Sequence, residues 1–357
     1  MKVKCPNCDK AYNVPDERLP SGKKIALRCP ACKGAIKLDL RSKSSQNGSP
    51  SSETKQKEKE NTSAPSMPAE KKRASDEALI NRILKSVTDL PPMSQTVHKV
   101  FKIMSDTSSS FKELAKILET DAAIAAKVLK MANSSYYGLS GNVSSIQHAS
   151  VVLGHETLGN LMTMAGTSGL LDDRLKGYGL EPGDLWRHSM AVAFGAKIIA
   201  KKKSPALADD AFAAGLIHDA GKLILDPYVF ERKEAFEEFL AQNQQGFLDA
   251  EREILGLDHS EIASEVCKSW HIPEALSISI RYHHYPSESQ GSELAYIVHM
   301  ADWIAMMGGF ATGIDGMLYQ MDDKAREVLD LKEKDVSSIK REVIESVRKI
   351  EEEQQES

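Results

Sequence analysis

Apolar residues recur every three or four positions along most of the chain after residue 76, which is the pattern of amphipathic α-helices. The first such set is Leu79, Ile80, Ile83, Leu84 and Val87. Leu90 precedes two prolines and ends this helix, because proline disfavours helical backbone in the residue before it. The alternating pattern of strands is weak throughout, so we expect residues 76–357 to be all-α.

Polar residues indicate where further helices begin. Ser110 opens a capping box, and Asp121 is the expected N-cap of the next helix. Residues 133–138 break that helix, and two apolar sets follow at residues 146–154 and 158–162. Later helices are expected to begin near Pro182, Ala206, Asp258, Pro273 and Ser292.

The first 40 residues have a different pattern. Short alternating stretches at residues 24–28 and 35–38 predict a β-hairpin. Two Cys-x-x-Cys pairs, twenty residues apart, consist of Cys5, Cys8, Cys29 and Cys32. Such pairs predict one structural zinc in a closed tetrahedral site, which would supply the folding energy that so short a segment lacks. The alternative is four free or redox cysteines. The segment resembles the zinc ribbons at the N-termini of bacterial regulatory proteins.

Residues 41–75 are rich in Ser, Lys, Glu, Pro, Asn and Gln, and their composition predicts a disordered linker. Charge is uneven along the chain. Residues 1–40 carry nine Lys/Arg against four Asp/Glu and residues 41–75 carry eight against four, whereas the whole chain has a net charge of −5. A basic N-terminal part on an acidic body indicates either affinity for nucleic acid or an acidic partner, or an ordinary solvated surface.

No apolar run reaches the ~18–20 residues of a membrane span. The first residues also lack the apolar core of a signal peptide. We therefore expect a cytoplasmic protein with no membrane partner. In that reducing compartment, the cysteine pairs favour metal over disulfides.

Histidines and aspartates recur on successive predicted helices between residues 184 and 302. They are Asp184, His188, His218, Asp219, His259, His283, His284 and Asp302. Asp184 and His188 are four positions apart and are expected to share a helix face. Imidazole and carboxylate together suit divalent transition metals, so the set predicts a metal site. His299 is expected to be a core residue or a support for a ligand.

The motifs LPPMSQTVHKV, ELAKILETDAAIAAKVLKMANSSYYG, SSIQHASVVLG, HDAGK and HMADWIA resemble the HDOD domain, over roughly residues 78–310. This family is a variant of the HD-domain superfamily of metal-dependent phosphohydrolases. The resemblance implies an all-helical signalling domain, usually without demonstrated catalysis.

The resemblance also implies a ligand set. The HD pattern matches His188, His218, Asp219 and Asp302. The related HD-GYP cyclic-dinucleotide phosphodiesterases add a His and a His-His pair, which match His259, His283 and His284, and Asp184 stands where they have Glu. One or two divalent transition metals (Fe, Mn or Zn) are implied. If the site is active, Asp219 and Lys222 are the catalytic residues. The Gly-Tyr-Pro loop after the His-His pair is reduced to Tyr285-Pro286.

Four segments are therefore expected: a zinc ribbon at 1–40, a linker at 41–75, an HDOD domain at 76–310 with parts 76–175 and 176–310, and a charged helical tail at 311–357. The tail is expected either to pack on the helical body or to bind a helix of a partner. Three functions stay open. They are a signal-transduction protein with a zinc-ribbon docking module and other signalling proteins as partners, a metal-dependent phosphodiesterase acting on a (cyclic di)nucleotide, and a nucleic-acid-associated regulator.

Overall fold

The computed structural model divides into two compact units, Met1–Ser66 and Met67–Ser357. It describes residues 2–4, 11–13, 24–28, 35–39, 69–88, 99–100, 121–139, 143–242, 246–310, 313 and 321–355. Within these residues, no helix is both long and apolar enough to cross a membrane.

The described part of the first unit consists of two β-hairpins. β1 (Lys2–Lys4) pairs antiparallel with β2 (Ala11–Asn13), and β3 (Lys24–Arg28) pairs antiparallel with β4 (Ala35–Asp39). The hairpin predicted for residues 24–28 and 35–38 is therefore confirmed. All four cysteines of the predicted zinc site lie outside the described residues. In the sequence, however, each Cys-x-x-Cys pair falls between two strands that pair with each other.

The second unit is helical, as predicted, and the described residues contain thirteen α-helices. They are α1 (Ala69–Thr88), α2 (Ala122–Ala132), α3 (Ile146–Leu171), α4 (Asp184–Lys203), α5 (Ala208–Ile217), α6 (Gly221–Glu231), α7 (Lys233–Gln242), α8 (Phe247–Leu255), α9 (His259–Ser269), α10 (Glu274–Arg281), α11 (Glu293–Met307), α12 (Asp323–Val328) and α13 (Glu333–Gln355). Short 3-10 turns at Pro205–Leu207 and Pro286–Glu288 precede α5 and α11.

Helix boundaries follow the local signals with one correction. Asp121 caps α2 by accepting a hydrogen bond from Ile124 N at 3.1 Å, as predicted. α1 ends at Thr88 before the two prolines, but it begins at Ala69, so residues 69–75 of the predicted linker are helical. Ala, Glu and Lys are good helix formers, and here they extend the helix towards the N-terminus, ahead of its first large apolar residue, Leu79. The helix predicted after Ser110 lies outside the described residues.

α3 joins the two helices that the apolar pattern predicted at residues 146–154 and 158–162. Gly154 lies at the junction with non-helical backbone angles, φ 81° and ψ 167°. An L-residue with a side chain rarely adopts such a φ, which explains why glycine stands at this kink.

α4 is the central helix of the second unit and packs against α5, α11 and α13. Small side chains let its neighbours approach. A Cβ on Gly215 of α5 would lie 2.9 Å from Ala193 Cα of α4, and Ala301 of α11 faces Gly195 of α4. Close packing of these three helices brings their polar residues to one place.

The tail packs on the body. α13 contacts α2, α4 and α11, and one face of it is buried. That face carries Val336, Ile339, Val343, Val347 and Ile350. Ile344 is partly exposed on the other side. Cys267 of α9 is buried, as its apolar neighbours predicted.

Candidate metal centre

The predicted donors other than Asp184 lie on or beside five helices that converge inside the second unit. His188 lies in the second turn of α4, His218 is the C-cap of α5 and His259 is the first residue of α9. The His283-His284 pair follows α10, and Asp302 lies within α11. None of these side chains, nor Asp219, is more than 7% exposed. Five helices therefore deliver polar groups into one buried space.

The donor atoms form overlapping groups in which all atoms lie within 4.8 Å of one another. One group contains Asp219, His259, His283 and His284, a second contains His188, His218 and Asp219, and a third contains His218, His283 and Asp302. Asp219 belongs to two groups and supplies a different oxygen to each side. The cluster thus has two halves that share one carboxylate, and the third group links the two through His218 and His283.

His188 is at the centre of the first half. Its Nε2 lies 3.2 Å from His218 Nε2, 3.2 Å from Asp302 Oδ1 and 3.6 Å from Asp219 Oδ2. His188, His218 and Asp219 thus lie close enough together to share an ion, and Asp302 contacts the same nitrogen of His188.

The second half surrounds Asp219 Oδ1. His259 Nε2 lies 3.4 Å from this oxygen and 2.8 Å from His284 Nε2. His283 Nε2 lies 3.9 Å from Asp219 Oδ1, is buried, and has no hydrogen-bond partner among the described residues. A buried polar atom without a partner costs free energy, and a bound cation would satisfy it.

Three of the histidines are held in the same orientation. The Nδ1–H groups of His188, His218 and His283 donate to the carbonyls of Phe310 (2.8 Å), Gly215 (2.8 Å) and Ile280 (2.6 Å). A carbonyl only accepts, so Nδ1 carries a proton and Nε2 is the ring nitrogen that faces the cluster. This is how proteins orient metal-binding histidines. The donor set therefore fits a divalent transition metal.

Two glycines in the sequence around His218 allow this convergence. Gly215 lets α5 lie against α4, and Gly221 lets α6 lie against α9. A Cβ on Gly221 would be 2.0 Å from the carbonyl oxygen of His259. Any side chain at position 221 would therefore force α6 and the start of α9 apart.

Comparison with known families agrees with this geometry. The HDOD domain family matches residues 90–286, which is more than half of the chain, and a zinc-ribbon family matches residues 1–37. The chain belongs to the HDOD family. The expected N-terminal zinc-ribbon domain is confirmed at the level of the family.

Solved structures share the fold of this HDOD protein. A protein from Shewanella amazonensis, named as a candidate phosphohydrolase, is 22% identical over 76% of this chain and 97% of its own, with a TM-score of 0.60. A candidate signal transduction protein from Marinobacter aquaeolei is 22% identical over 78% of this chain and 64% of its own, with a TM-score of 0.61. An uncharacterized protein from Treponema pallidum is 23% identical over 56% of this chain. The match spans only 38% of that relative.

Electrostatics divides the donors of the HDOD cluster into two kinds. Burial opposes ionisation of Asp302 and Asp219, but the His188 hydrogen bond lowers the pKa of Asp302 to about 2, and His218 with Lys222 lowers the pKa of Asp219 well below its usual range. Burial, reinforced by His218, lowers the pKa of His283 to about 3. The two aspartates are therefore ionised and His283 is neutral near neutral pH, the protonation states a metal requires.

The other two histidines behave differently. Burial alone would lower the pKa of His188, but the hydrogen bond and charge of Asp302 outweigh it and raise the pKa. The pKa of His259 is raised in the same way by Glu251, again against burial. Burial and the adjacent His283 lower the pKa of His284. A cation must therefore compete with protons more strongly at His188 and His259 than at His283 and His284.

Lys222 lies beside the shared carboxylate. It is fully buried, its Nζ donates to Asp219 Oδ2 at 2.7 Å, and it lies 5.6 Å from the centre of the Tyr178 ring. A buried lysine needs such partners, because an isolated ammonium ion is poorly tolerated away from water. Lys222 therefore places one positive charge next to the two-sided donor Asp219.

Asp184 is not in the groups of donor atoms that the described residues form. Its Oδ2 accepts a hydrogen bond from Glu181 N at 2.9 Å, before the first turn of α4. Since free backbone N–H groups near a helix start attract a carboxylate, Asp184 turns towards the start of α4. Its predicted role as a ligand is not supported by this geometry.

His299 lies behind the His283-His284 pair and contacts its backbone. Its Nδ1–H donates to the carbonyl of His283 at 2.7 Å, and its Nε2 accepts from Asp322 N at 2.9 Å. The imidazole thus joins the His283-His284 segment to the start of α12.

Sequence reasoning missed Glu251 and Tyr178. Glu251 is fully buried on α8 and accepts hydrogen bonds from His259 Nδ1 at 2.8 Å and from the Tyr178 hydroxyl at 2.6 Å. The available signal was a glutamate at a helical position with apolar neighbours, between Leu248 and Leu255. A charged residue on the apolar face of a helix requires a partner.

Proposed function

We propose that this chain is a signal-transduction protein whose HDOD domain binds one or two divalent transition metals in the His/Asp cluster. The observation that carries the proposal is the convergence of imidazole Nε2 atoms on the two oxygens of Asp219. Each half of the cluster offers at least three nitrogen or oxygen donors. Mixed imidazole and carboxylate donors suit Fe, Mn or Zn.

Charge balance supports a divalent cation. The buried carboxylates around the cluster are Asp219, Asp302 and Glu251, and the buried ammonium is that of Lys222. When a cation displaces the protons of His188 and His259, these groups leave two negative charges uncompensated in a buried region, which is costly without the cation. One divalent cation neutralises them. A second would leave an excess positive charge that an anionic ligand, such as a phosphate group, would balance.

A metal at this place would connect five helices. α4, α5, α9, α10 and α11 each carry or adjoin a donor. Binding or loss of the ion would therefore change how these helices pack. In a regulator, this supplies a link between occupancy of the site and a surface that another protein contacts. We expect other signalling proteins to be these partners and the zinc ribbon to act as a docking module.

A metal-dependent phosphodiesterase acting on a nucleotide is the second candidate. The observation that favours it is Asp219, which faces both halves while Lys222 donates to it at 2.7 Å. When bound, such metals polarise a phosphoryl oxygen and lower the pKa of a water molecule. In this reading, Lys222 places its positive charge beside the phosphate, and Asp219 would hold the metals on its two oxygens. The shortened segment after His284, which in related phosphodiesterases shapes the pocket, argues against it.

Nucleic-acid binding by the basic ribbon is the weakest reading. It rests on the charge of residues 1–40, and Tyr12 alone in that segment offers an aromatic ring for stacking.

The metal content of the purified full-length chain tests the proposal. The ribbon's zinc is removed with Cys29→Ser and Cys32→Ser, so that the remaining metal reports on the helical site. We expect one or two equivalents per chain, and their loss in the double variant His218→Ala and Asp219→Ala. His148→Ala, which removes an exposed helix histidine, is the matched control and should keep the metal. A wild-type chain without metal in the helical unit under every loading condition refutes the proposal.

Hydrolysis separates the two candidates. The metal-loaded chain is incubated with cyclic dinucleotides and a simple phosphodiester. The regulatory proposal expects no turnover above that of the His218→Ala and Asp219→Ala double variant. Metal-dependent turnover that disappears in the double variant would establish the phosphodiesterase instead.

A further inference from the structure

Glu251 is a buried carboxylate that the proposed metal binding does not use directly. It lies on α8, and its side chain is fully buried. One oxygen, Oε2, accepts hydrogen bonds from both the backbone N (2.9 Å) and Nδ1 (2.8 Å) of His259. The other, Oε1, accepts the Tyr178 hydroxyl at 2.6 Å. Three donors from two distant segments therefore converge on one carboxylate.

The contact with His259 fixes both the position and the orientation of that residue. The backbone hydrogen bond holds the first residue of α9, and the Nδ1 hydrogen bond fixes the rotation of the ring. On the opposite side, the His259 carbonyl lies against Gly221 so closely that no Cβ would fit. With both sides restrained, His259 Nε2 faces Asp219 Oδ1 at 3.4 Å.

His259 also differs chemically from the other oriented histidines. His188, His218 and His283 donate Nδ1–H to neutral backbone carbonyls, whereas His259 donates to a carboxylate. A charged acceptor makes a stronger hydrogen bond and increases the basicity of the opposite ring nitrogen. The two halves of the cluster are therefore not equivalent.

Tyr178 connects this contact to Lys222. Its hydroxyl donates to Glu251, and its ring lies 5.6 Å from Lys222 Nζ, which in turn donates to Asp219. Asp219, Lys222, Tyr178, Glu251 and His259 thus form a closed series of buried contacts around one half of the cluster.

We infer that Glu251 is a positioning residue, which holds His259 in place for one metal subsite. That subsite is formed by His259 with Asp219, His283 and His284. Metal binding there depends on Glu251, whereas metal binding in the half that contains His188 does not. The inference rests on the proposed metal binding, and it assigns a task to a residue that supplies no ligand atom. Tyr178 has a smaller part, because it contacts the oxygen of Glu251 that does not touch His259.

The test compares three variants at this contact in the full-length chain with Cys29→Ser and Cys32→Ser. Glu251→Ala removes both hydrogen bonds to His259. Glu251→Gln has the same shape and keeps an oxygen for His259, while its amide N–H group can donate to the Tyr178 hydroxyl. Tyr178→Phe leaves the Glu251–His259 contact intact. Glu265→Ala, a partly exposed glutamate of α9 paired with Lys268, is the matched control.

Two measurements are made on each variant. The first is a titration of metal-free protein with Zn²⁺ or Mn²⁺ in competition with a chelator. Loss of a residue that orients a metal ligand typically weakens metal binding roughly 10–100-fold. We expect that loss for Glu251→Ala in one binding event only, a smaller loss for Glu251→Gln, and little change for Tyr178→Phe and Glu265→Ala.

The second measurement is the ¹H–¹⁵N NMR spectrum of the histidine rings in metal-free protein. We expect a slowly exchanging Nδ1 proton on His259 in the wild type and in Glu251→Gln, and its loss in Glu251→Ala. The inference is wrong if Glu251→Ala keeps this proton and the wild-type metal affinity. It is also wrong if Glu251→Ala weakens both binding events equally along with the helical circular dichroism, because Glu251 then only stabilises the fold.

The two readouts separate this inference from the metal proposal. If the wild type takes up no metal, the proposed function fails, yet the NMR spectrum still shows whether Glu251 fixes His259. If Glu251→Ala does not fold, Glu251→Gln and Tyr178→Phe decide. Equal loss in these two would overturn the assignment, since only the first changes the group that touches His259.

Discussion

Replacement of Gly221 by alanine tests how the HDOD cluster is assembled without altering a single donor atom. The new Cβ would lie 2.0 Å from the carbonyl oxygen of His259 and 2.7 Å from Ala263 N, whereas ordinary contacts begin at 3.4 Å. The distance to the His259 oxygen is about 1.4 Å shorter than an ordinary contact. The clashing atoms of α9 belong to the backbone, so no side-chain rotation relieves the clash. α6 and α9 must separate, and His259 moves with α9.

The size of the effect follows from this geometry. Overpacking a core typically costs about 1–3 kcal/mol, and occasionally more. Because the clash here is with backbone, we expect the free energy of unfolding to fall by at least ~2–3 kcal/mol. Displacement of His259 should also weaken metal binding in the half that contains His283 and His284.

Gly169→Ala is the matched control. Gly169 lies in the last turn of α3, and a Cβ there would meet no atom within 4 Å among the described residues. Alanine has a higher helix propensity than glycine, so this variant should gain about 0.5–1 kcal/mol. Urea denaturation followed by circular dichroism gives both values. If Gly221→Ala stays within about 0.5 kcal/mol of the wild type and binds metal equally well, the proposed close approach of α6 to His259 is wrong.

Three further predictions concern pH, the ribbon and the linker. The pKa values of His188 and His259 are raised, so both are protonated in the metal-free cluster below those values. Metal affinity should therefore rise with pH, by up to about tenfold per pH unit for each proton displaced. An affinity that is constant from about pH 6 to about pH 8 would contradict this. Residues 1–40 should bind one zinc and lose NMR dispersion on chelation, and a spectrum unchanged by the chelator would exclude a structural zinc. Light proteolysis should cleave first between residues 41 and 68, and first cleavage inside the helical unit would argue against the linker.

Local signals in the sequence predicted most helix starts. Asp121, Asp258 and Ser292 each accept a backbone N–H two or three residues into their helices, as the capping patterns required. Capping depends on only a few neighbouring residues, which explains why it can be read from sequence. The start of α1 was harder to predict, because its first turns contain no large apolar residue to reveal the periodicity.

The cluster was predicted as a set of residue types, but its internal contacts were not. Helical spacing placed Asp184 on the same face as His188, yet spacing does not reveal that the backbone N–H of Glu181 donates a hydrogen bond to the Asp184 carboxylate. Glu251 was missed for the opposite reason. Its partners are His259 and Tyr178, and Tyr178 is 73 positions away. These contacts depend on how α8 packs against other segments, which local sequence patterns do not reveal.

The burial of the cluster favours regulation over turnover within the proposed function. Asp219 and Lys222 are 2% and 0% exposed, so a phosphodiester could reach them only if the surrounding helices moved apart. A regulator has no such requirement. A metal present at about 100 times its dissociation constant stabilises the folded state by about 2.7 kcal/mol, and total stabilities are only about 5–15 kcal/mol. Because five helices supply the donors, that energy acts on their packing as a whole, and occupancy alone could change the surface offered to a partner.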